Sequence, residues 1–217
     1  MKVKVCGMKY NTAEIAGLQP DYMGFIFWPG SPRYIEGTPG GLPASIPKVG
    51  VFVNAPVEEI LQKTRDFQLQ LIQLHGEESP AYCQALRDKL QHAGRKLSAV
   101  KIIKVFSIEE AFDFNELTPF EDCCDYFLFD TRGKLPGGNG YAFDWQLLEG
   151  YASGKAYFLS GGIGPDDLHQ LKAFMERPEA RLCHAVDVNS RFEESPGKKD
   201  PGLLAAFIKE VTQLEHQ

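Results

Sequence analysis

Cys6 and Asp130 stand at the ends of two runs with strand character, Lys2–Cys6 and Tyr126–Asp130. A thiol can attack as a nucleophile or, once ionised, take a proton, and a carboxyl group can donate or accept one. If Lys2–Cys6 is a strand, Lys2, Lys4 and Cys6 share one face, with Val3 and Val5 on the other. On this stretch alone Cys6 reads equally as a reactive thiol or as a small buried hydrophobe. The residues at comparable positions elsewhere in the chain decide between the two.

Those positions follow from the elements. Strands are expected at Lys2–Cys6, Tyr22–Phe27, Lys48–Val53, Gln70–His75, Val100–Phe106, Tyr126–Asp130, Ala156–Ser160 and Ala185–Val188. Helical patterns lie between them at Thr12–Leu18, Val57–Phe67, Pro80–Ala93, Phe143–Leu148, Pro165–Phe174 and Gly202–Leu214. Pro165 after Gly164 and Pro201 after Asp200 are first-turn signals. Gly37–Pro47 is too rich in glycine and proline for a regular helix, and Ser107–Cys124 has a helical patch near Glu109–Phe114 that breaks at Pro119. The alternation predicts an α/β fold, a compact (β/α)8 TIM barrel whose second and fifth crossover helices are short or irregular. A doubly wound open sheet is the alternative, but no G-x-G-x-x-G turn follows the first strand. With no linker or low-complexity segment, residues 1–217 are expected to form a single barrel domain.

Such barrels carry their sites at the C-terminal ends of the strands. Those ends supply Cys6, Trp28 through Arg33, Asn54, His75-Gly76-Glu77, Asp130-Thr131, Ser160-Gly161-Gly162, and Asp187 with Asn189-Ser190. A polar and reactive set above apolar strands points to a site. The loops after the seventh and eighth strands, with Gly161, Gly162, Asn189 and Ser190, stand where phosphate-binding barrels hold an anion. A third loop, Arg132–Tyr141, offers Gly138 and Gly140 as a further phosphate contact or as part of a lid.

The bulk properties narrow the ligand classes. With 43% hydrophobic and 24% charged residues the chain is an ordinary soluble protein, and a net charge of −6 argues against a nucleic-acid partner while leaving a single phosphate possible. Five cysteines without a C-x-x-C, and no signal-peptide pattern, suggest reduced thiols and a cytoplasmic setting. No apolar run approaches the ~18 residues of a membrane helix. The five histidines form no close ligand pair, so no metal is expected.

Several motifs, in order along the whole chain, resemble the phosphoribosylanthranilate isomerase family. They are Lys4-Val5-Cys6-Gly7-Met8, Gly24-Phe25-Ile26-Phe27 through Ser31-Pro32-Arg33-Tyr34-Ile35, Val49 to Asn54, Gln73-Leu74-His75-Gly76-Glu77, Asp130-Thr131, Gly137-Gly138-Asn139-Gly140, Leu159-Ser160-Gly161-Gly162, Val186-Asp187-Val188 and Pro196 to Asp200. The resemblance implies a barrel enzyme of tryptophan biosynthesis. Its reaction is the Amadori rearrangement of N-(5-phosphoribosyl)anthranilate to 1-(2-carboxyphenylamino)-1-deoxyribulose 5-phosphate. It also implies no cofactor, a small phosphoribosyl substrate, and a monomer or homodimer. By resemblance Asp130 is the general acid, Cys6 the general base, and Arg33 the grip on the anthranilate carboxylate. Asp187 is a candidate for the ribose hydroxyls or a turn cap, and His75 for polarising substrate or for an interior hydrogen bond. The sequence departs from the family at Arg191, where glycine usually follows the serine.

Both catalytic roles carry physical conditions. An aspartic acid at its reference value of ~3.9 is a poor acid near neutrality, so the role asks for burial, which Phe127, Leu128 and Phe129 make credible. A cysteine at ~8.5 is a weak base unless its thiolate is favoured. Lys4, on the same face, is a candidate for that support, the alternative being an interior ion pair. A Cys6–His75 nucleophilic couple is a mechanistic rival, but nothing orients a third member. Two other functions stay in view. A bifunctional isomerase also serving histidine biosynthesis is disfavoured because such forms end the first strand in aspartate. A non-catalytic phosphosugar-binding barrel would keep the phosphate loops without the acid–base pair.

Overall fold

The computed structural model describes residues 1–40, 42–131 and 144–214. Eight parallel strands close into a barrel in sequence order: β1 (Lys2–Val5), β2 (Tyr22–Ile26), β3 (Lys48–Phe52), β4 (Leu71–Leu74), β5 (Lys101–Ile108), β6 (Tyr126–Thr131), β7 (Tyr157–Leu159) and β8 (Cys183–Val188). β8 pairs with β1 to complete the ring, with Lys4 opposite Asp187 and Val5 opposite Val188. Helices α1 (Thr12–Ala16), α2 (Val57–Phe67), α3 (Pro80–His92), α4 (Arg95–Ser98), α5 (Leu168–Met175) and α6 (Pro201–Gln213) form the outer wall.

Local chemistry sets the helix starts. Ser79 accepts from the Tyr82 N–H at 3.2 Å and Asp200 from the Leu203 N–H at 3.0 Å, each followed by proline in the first turn. Asp167 closes the turn before α5 by accepting from the Gly164 N–H at 2.7 Å. The strands bury one face against the helices, where Val3, Val5, Phe25, Phe27, Phe52 and Phe127 join the large outer core. Their other faces fill the barrel. Its floor is a separate apolar layer of Val49, Leu71, Ile103, Val105, Leu128, Phe158 and Ala185. Tyr22 Oη and His184 Nε2 meet there at 2.7 Å, and burial, with Lys2 adding, holds His184 below its usual range.

The crossovers are less regular than the strands, with several differences from expectation. Among the described residues no helix lies between β2 and β3, where an isolated bridge joins Ile26 to Tyr34. The expected patch at Glu109–Phe114 is absent. β5 instead runs on to Ile108, because Ser107 and Ile108 pair with Asp130 and Thr131 of β6. A 3₁₀ helix follows over Phe114–Phe120 and contains Pro119 rather than ending there. Such a short element forfeits only one bond to the missing N–H. The helix expected at Phe143–Leu148 is a 3₁₀ helix at Trp145–Gly150, capped by Asp144, and residue 143 lies outside the described set. Strand β7 is shorter than expected, at Tyr157–Leu159. A small antiparallel hairpin of β9 (Glu193–Ser195) and β10 (Lys198–Lys199) follows β8, where no strand was expected.

Candidate active site

The C-terminal mouth of the barrel opens onto one cavity, and side chains from β1, β4, β6 and β8 converge on it. Cys6, His75, Asp130 and Asp187 line it together with Arg33, Gly162, Asn189 and Ser190. Strand parity places Cys6 as expected, since the same face carries Lys4 inward. Room for the thiol comes from the neighbouring strand. A Cβ on Gly24 would lie 2.8 Å from Cys6 Sγ and 3.1 Å from its Cα. Glycine in the middle of β2 is thus explained by close approach rather than by a turn.

A chain of polar contacts crosses the mouth. Asp187 Oδ2 accepts from Lys4 Nζ at 2.9 Å, and the same ammonium donates to Gln73 Oε1 at 2.6 Å. Gln73 Nε2 lies 3.4 Å from His75 Nδ1, and His75 Nε2 lies 3.3 Å from Asp130 Oδ2. The other Asp130 oxygen accepts from the Thr131 N–H at 3.0 Å. The walls that carry Cys6 and Asp130 are therefore linked through Lys4, Gln73 and His75. Lys4 is wholly buried and its ammonium is held above its ordinary range: burial alone would lower it, but the charges of Asp187 and Cys6 outweigh that cost. Burial pushes the Asp187 carboxyl up against the pull of Lys4, and its Oδ1 is buried without a hydrogen-bond partner.

Of the two roles considered for Lys4, the interior ion pair is present, while its support for the thiolate is only a partial pull. Lys4 pairs with Asp187, and it also pulls the Cys6 thiol downward, as does Lys199. The net direction is nonetheless upward, because burial of Cys6 outweighs both cations and Asp187 adds to it. Support from Lys4 alone does not bring the thiol below its ordinary value.

Arg33 also lies at the mouth, but its guanidinium is engaged. Nε donates to the two carboxylate oxygens of Glu193 at 2.9 and 3.0 Å, and Nη2 donates at 2.6 Å. Glu193 in turn accepts from Lys199 Nζ at 2.8 Å and from the Gly197 N–H at 3.0 Å. Burial would raise the Glu193 carboxyl, yet Arg33 and Lys199 together hold it below the usual glutamate range. Lys199 is fully buried and donates at 2.7 Å to the Asn189 side-chain oxygen and at 3.1 Å to its carbonyl. One carboxylate thus sits between two cations, with a surplus positive charge at the edge of the cavity.

The phosphate candidates are only partly gathered. Gly162, Asn189 and Ser190 line the cavity. Gly161 instead presses against the end of β6, where a Cβ would meet Thr131 Oγ1 at 2.2 Å, and both glycines take positive φ, +95° and +71°. Gly138 and Gly140 lie outside the described residues. Arg191 lies over Gly164 of the β7 loop, where a Cβ would come within 3.0 Å of its Nε, and it pairs with Asp166 at 3.4 Å. Gln73, Glu193 and Lys199 were not singled out in the sequence as site residues. Parity could have found Gln73, two places before His75 on β4, whereas Glu193 and Lys199 depend on a hairpin that no periodicity announces.

Comparison with known proteins bears on this mouth. The family model described as N-(5′phosphoribosyl)anthranilate (PRA) isomerase matches residues 3–210. An N-(5′-phosphoribosyl)anthranilate isomerase from Phocaeicola vulgatus is 40% identical over 215 residues, covering 98% of each chain. The crystal structure of a phosphoribosyl anthranilate isomerase from Thermus thermophilus superposes with a TM-score of 0.80 at 28% identity, over 99% of this chain and 100% of that one. Another solved isomerase, in complex with reduced 1-(o-carboxyphenylamino)-1-deoxyribulose 5-phosphate, gives a TM-score of 0.75 at 28% identity over 98% and 99% of the two chains.

Proposed function

The chain belongs to the N-(5′-phosphoribosyl)anthranilate isomerase family, and on that premise we propose that Cys6 and Asp130 carry its Amadori rearrangement as base and acid. The observation that supports this assignment is that one cavity receives both side chains, from strands on different walls, joined by the polar chain through Lys4, Gln73 and His75. Asp130 delivers a proton to the ribose ring oxygen as the bond from that oxygen to C1 breaks, and the anilino nitrogen lone pair forms the C1=N bond. Cys6 then takes the C2 proton, the C2–H electrons form C1=C2, and the nitrogen recovers its pair. The resulting enolamine becomes the 2-ketone as C1 takes a proton and the 2-hydroxyl gives one up, and the proton taken by Cys6 is returned to Asp130 through solvent, so atoms and charge balance without a cofactor.

The other residues take supporting roles in this reading. Asp187 Oδ1, buried and unpartnered, is an acceptor for a ribose hydroxyl. Arg33 spends Nε and Nη2 on Glu193, which leaves Nη1 for the anthranilate carboxylate. Gly162, Asn189 and Ser190 would receive the phosphate, with Arg191 placed beside the β7 loop. His75 Nε2, 3.3 Å from Asp130 Oδ2, keeps the carboxyl oriented.

Anthranilate fluorescence, which falls as substrate is consumed, supplies the test. Cys6→Ser and Asp130→Asn are each expected to lower kcat/KM by about 10²–10⁴-fold, the usual worth of a positioned acid or base, while phosphate-ligand affinity holds. Full activity in either variant refutes its role, and lost phosphate binding reassigns it to structure. The pH profile has a required sign. Because the working form of Cys6 is the thiolate and burial pushes the thiol up, kcat/KM rises with pH beyond the ~8.5 of an ordinary cysteine. An ascending limb that disappears in Cys6→Asp would mark Cys6 as its source, and an unchanged limb would remove Cys6 from the base role.

A further inference from the structure

The remaining thiols are not scattered. Cys83, on α3, faces Cys123 and Cys124, in the turn before β6, and the three sulfurs lie within 4.8 Å of one another. All three residues are buried, at 0%, 2% and 3% exposure, on the outer side of the barrel wall and apart from the cavity at the mouth. The vicinal pair, Cys123 and Cys124, has an Sγ–Sγ separation of 4.0 Å. A trigonal ion bonded to sulfur at about 2.3 Å requires sulfurs about 4.0 Å apart.

We propose that Cys83, Cys123 and Cys124 form a buried three-thiolate site for a soft monovalent metal ion, copper(I) being the ion whose chemistry fits. The group contains no histidine nitrogen or carboxylate oxygen, so its ligand set is sulfur alone, which selects soft ions. Burial keeps water from a fourth position, and zinc in a closed site demands four ligands. Charge is also provided for. Binding releases three thiol protons as three sulfur–metal bonds form, leaving two negative charges on the centre. Two cations hold the backbone of the vicinal pair: Lys155 Nζ donates to the Cys124 carbonyl at 2.8 Å, and Arg87, itself paired with Asp125, donates through Nη2 to the Cys123 carbonyl at 3.3 Å. Lys155 makes no ion pair among the described residues, and its ammonium also lies 5.8 Å from the centre of the Phe127 ring.

The test is an anaerobic titration of the full chain with copper(I) against a chromogenic copper(I) chelator, followed by absorption spectroscopy at the copper edge. One ion is expected to resist the chelator, with three sulfur neighbours at about 2.3 Å. Cys83→Ser is expected to lose that retention, and Cys6→Ser to keep it. Transfer of all copper to the chelator would overturn the proposal, as would nitrogen or oxygen neighbours in the wild-type spectrum, which needs no variant to fold. Retention unchanged in Cys83→Ser would do the same. One zinc(II) retained in place of copper would overturn the low-coordination assignment.

Discussion

The floor and the mouth of the barrel are built from the same strands, two residues apart. Leu71 is followed on the inner face by Gln73, Leu128 by Asp130, and Ala185 by Asp187. Burial does not distinguish the layers, because Lys4 and Gln73 are as enclosed as Val49 and Phe158. The difference is pairing. The floor has no charge to neutralise, while the mouth holds buried charges that remain affordable only because each finds a partner within a continuous chain. At the mouth, Asp187 Oδ1 is buried without a hydrogen-bond partner, on a residue that lines the cavity where substrate is expected.

Breaking the pairing should therefore cost more than trimming the packing. Lys4→Met leaves Asp187 buried and unpaired, and chemical denaturation should show a loss of about 3–5 kcal/mol. The double variant Lys4→Met/Asp187→Leu should recover much of that loss, and a Lys4→Met chain as stable as wild type would show that the pair contributes nothing. Glu193→Gln removes the anion between Arg33 and Lys199 and is expected to cost about 1.5–3 kcal/mol at neutral pH. The sign with pH follows from the depressed Glu193 carboxyl. Its contribution is complete above the ordinary glutamate value of ~4.3 and fades as pH falls through the lower folded value. Melting curves of wild type and variant should converge in that acidic window, and a gap that persists below it would exclude ionisation as the cause. At the floor, Ile103→Val should cost only about 0.5–1.5 kcal/mol and leave kcat/KM unchanged. A marked fall in kcat/KM there would show that the layers are coupled.

The barrel was legible because its strands are short apolar runs with polar ends, a pattern that survives irregular crossovers. Cys6, Asp130 and His75 were legible for the same reason, each closing such a run, and Asp187 as the charged residue one place before the end of its own. Of the crossovers, α2, α3, α5 and α6 were legible from their apolar stripes, whereas the segments at Phe114–Phe120 and Trp145–Gly150 were not, since 3₁₀ turns lack that 3.6-residue stripe. Glu193 and Lys199 stand in a hydrophilic stretch with no strand periodicity. Their burial follows from the hairpin folding back toward Arg33, a tertiary event without a local signal. The three-thiol group was hidden differently. Cys83 lies far along the chain from Cys123 and Cys124, so no metal-ligand spacing appears.

Lys4 and Asp187 are 183 positions apart in the chain and neighbours across the last gap of the barrel. In kinetic terms this makes the site a product of ring closure. Contacts of such long separation form only after the ordering cost of the intervening chain has been met, and chains rich in them fold slowly. An intermediate with every helix in place and the β1–β8 gap still open would have Cys6 on one free edge and Asp187 on the other, without the ammonium that joins them. Catalytic competence would then arrive in one step with the final strand pairing, which makes turnover itself a clock for the end of folding.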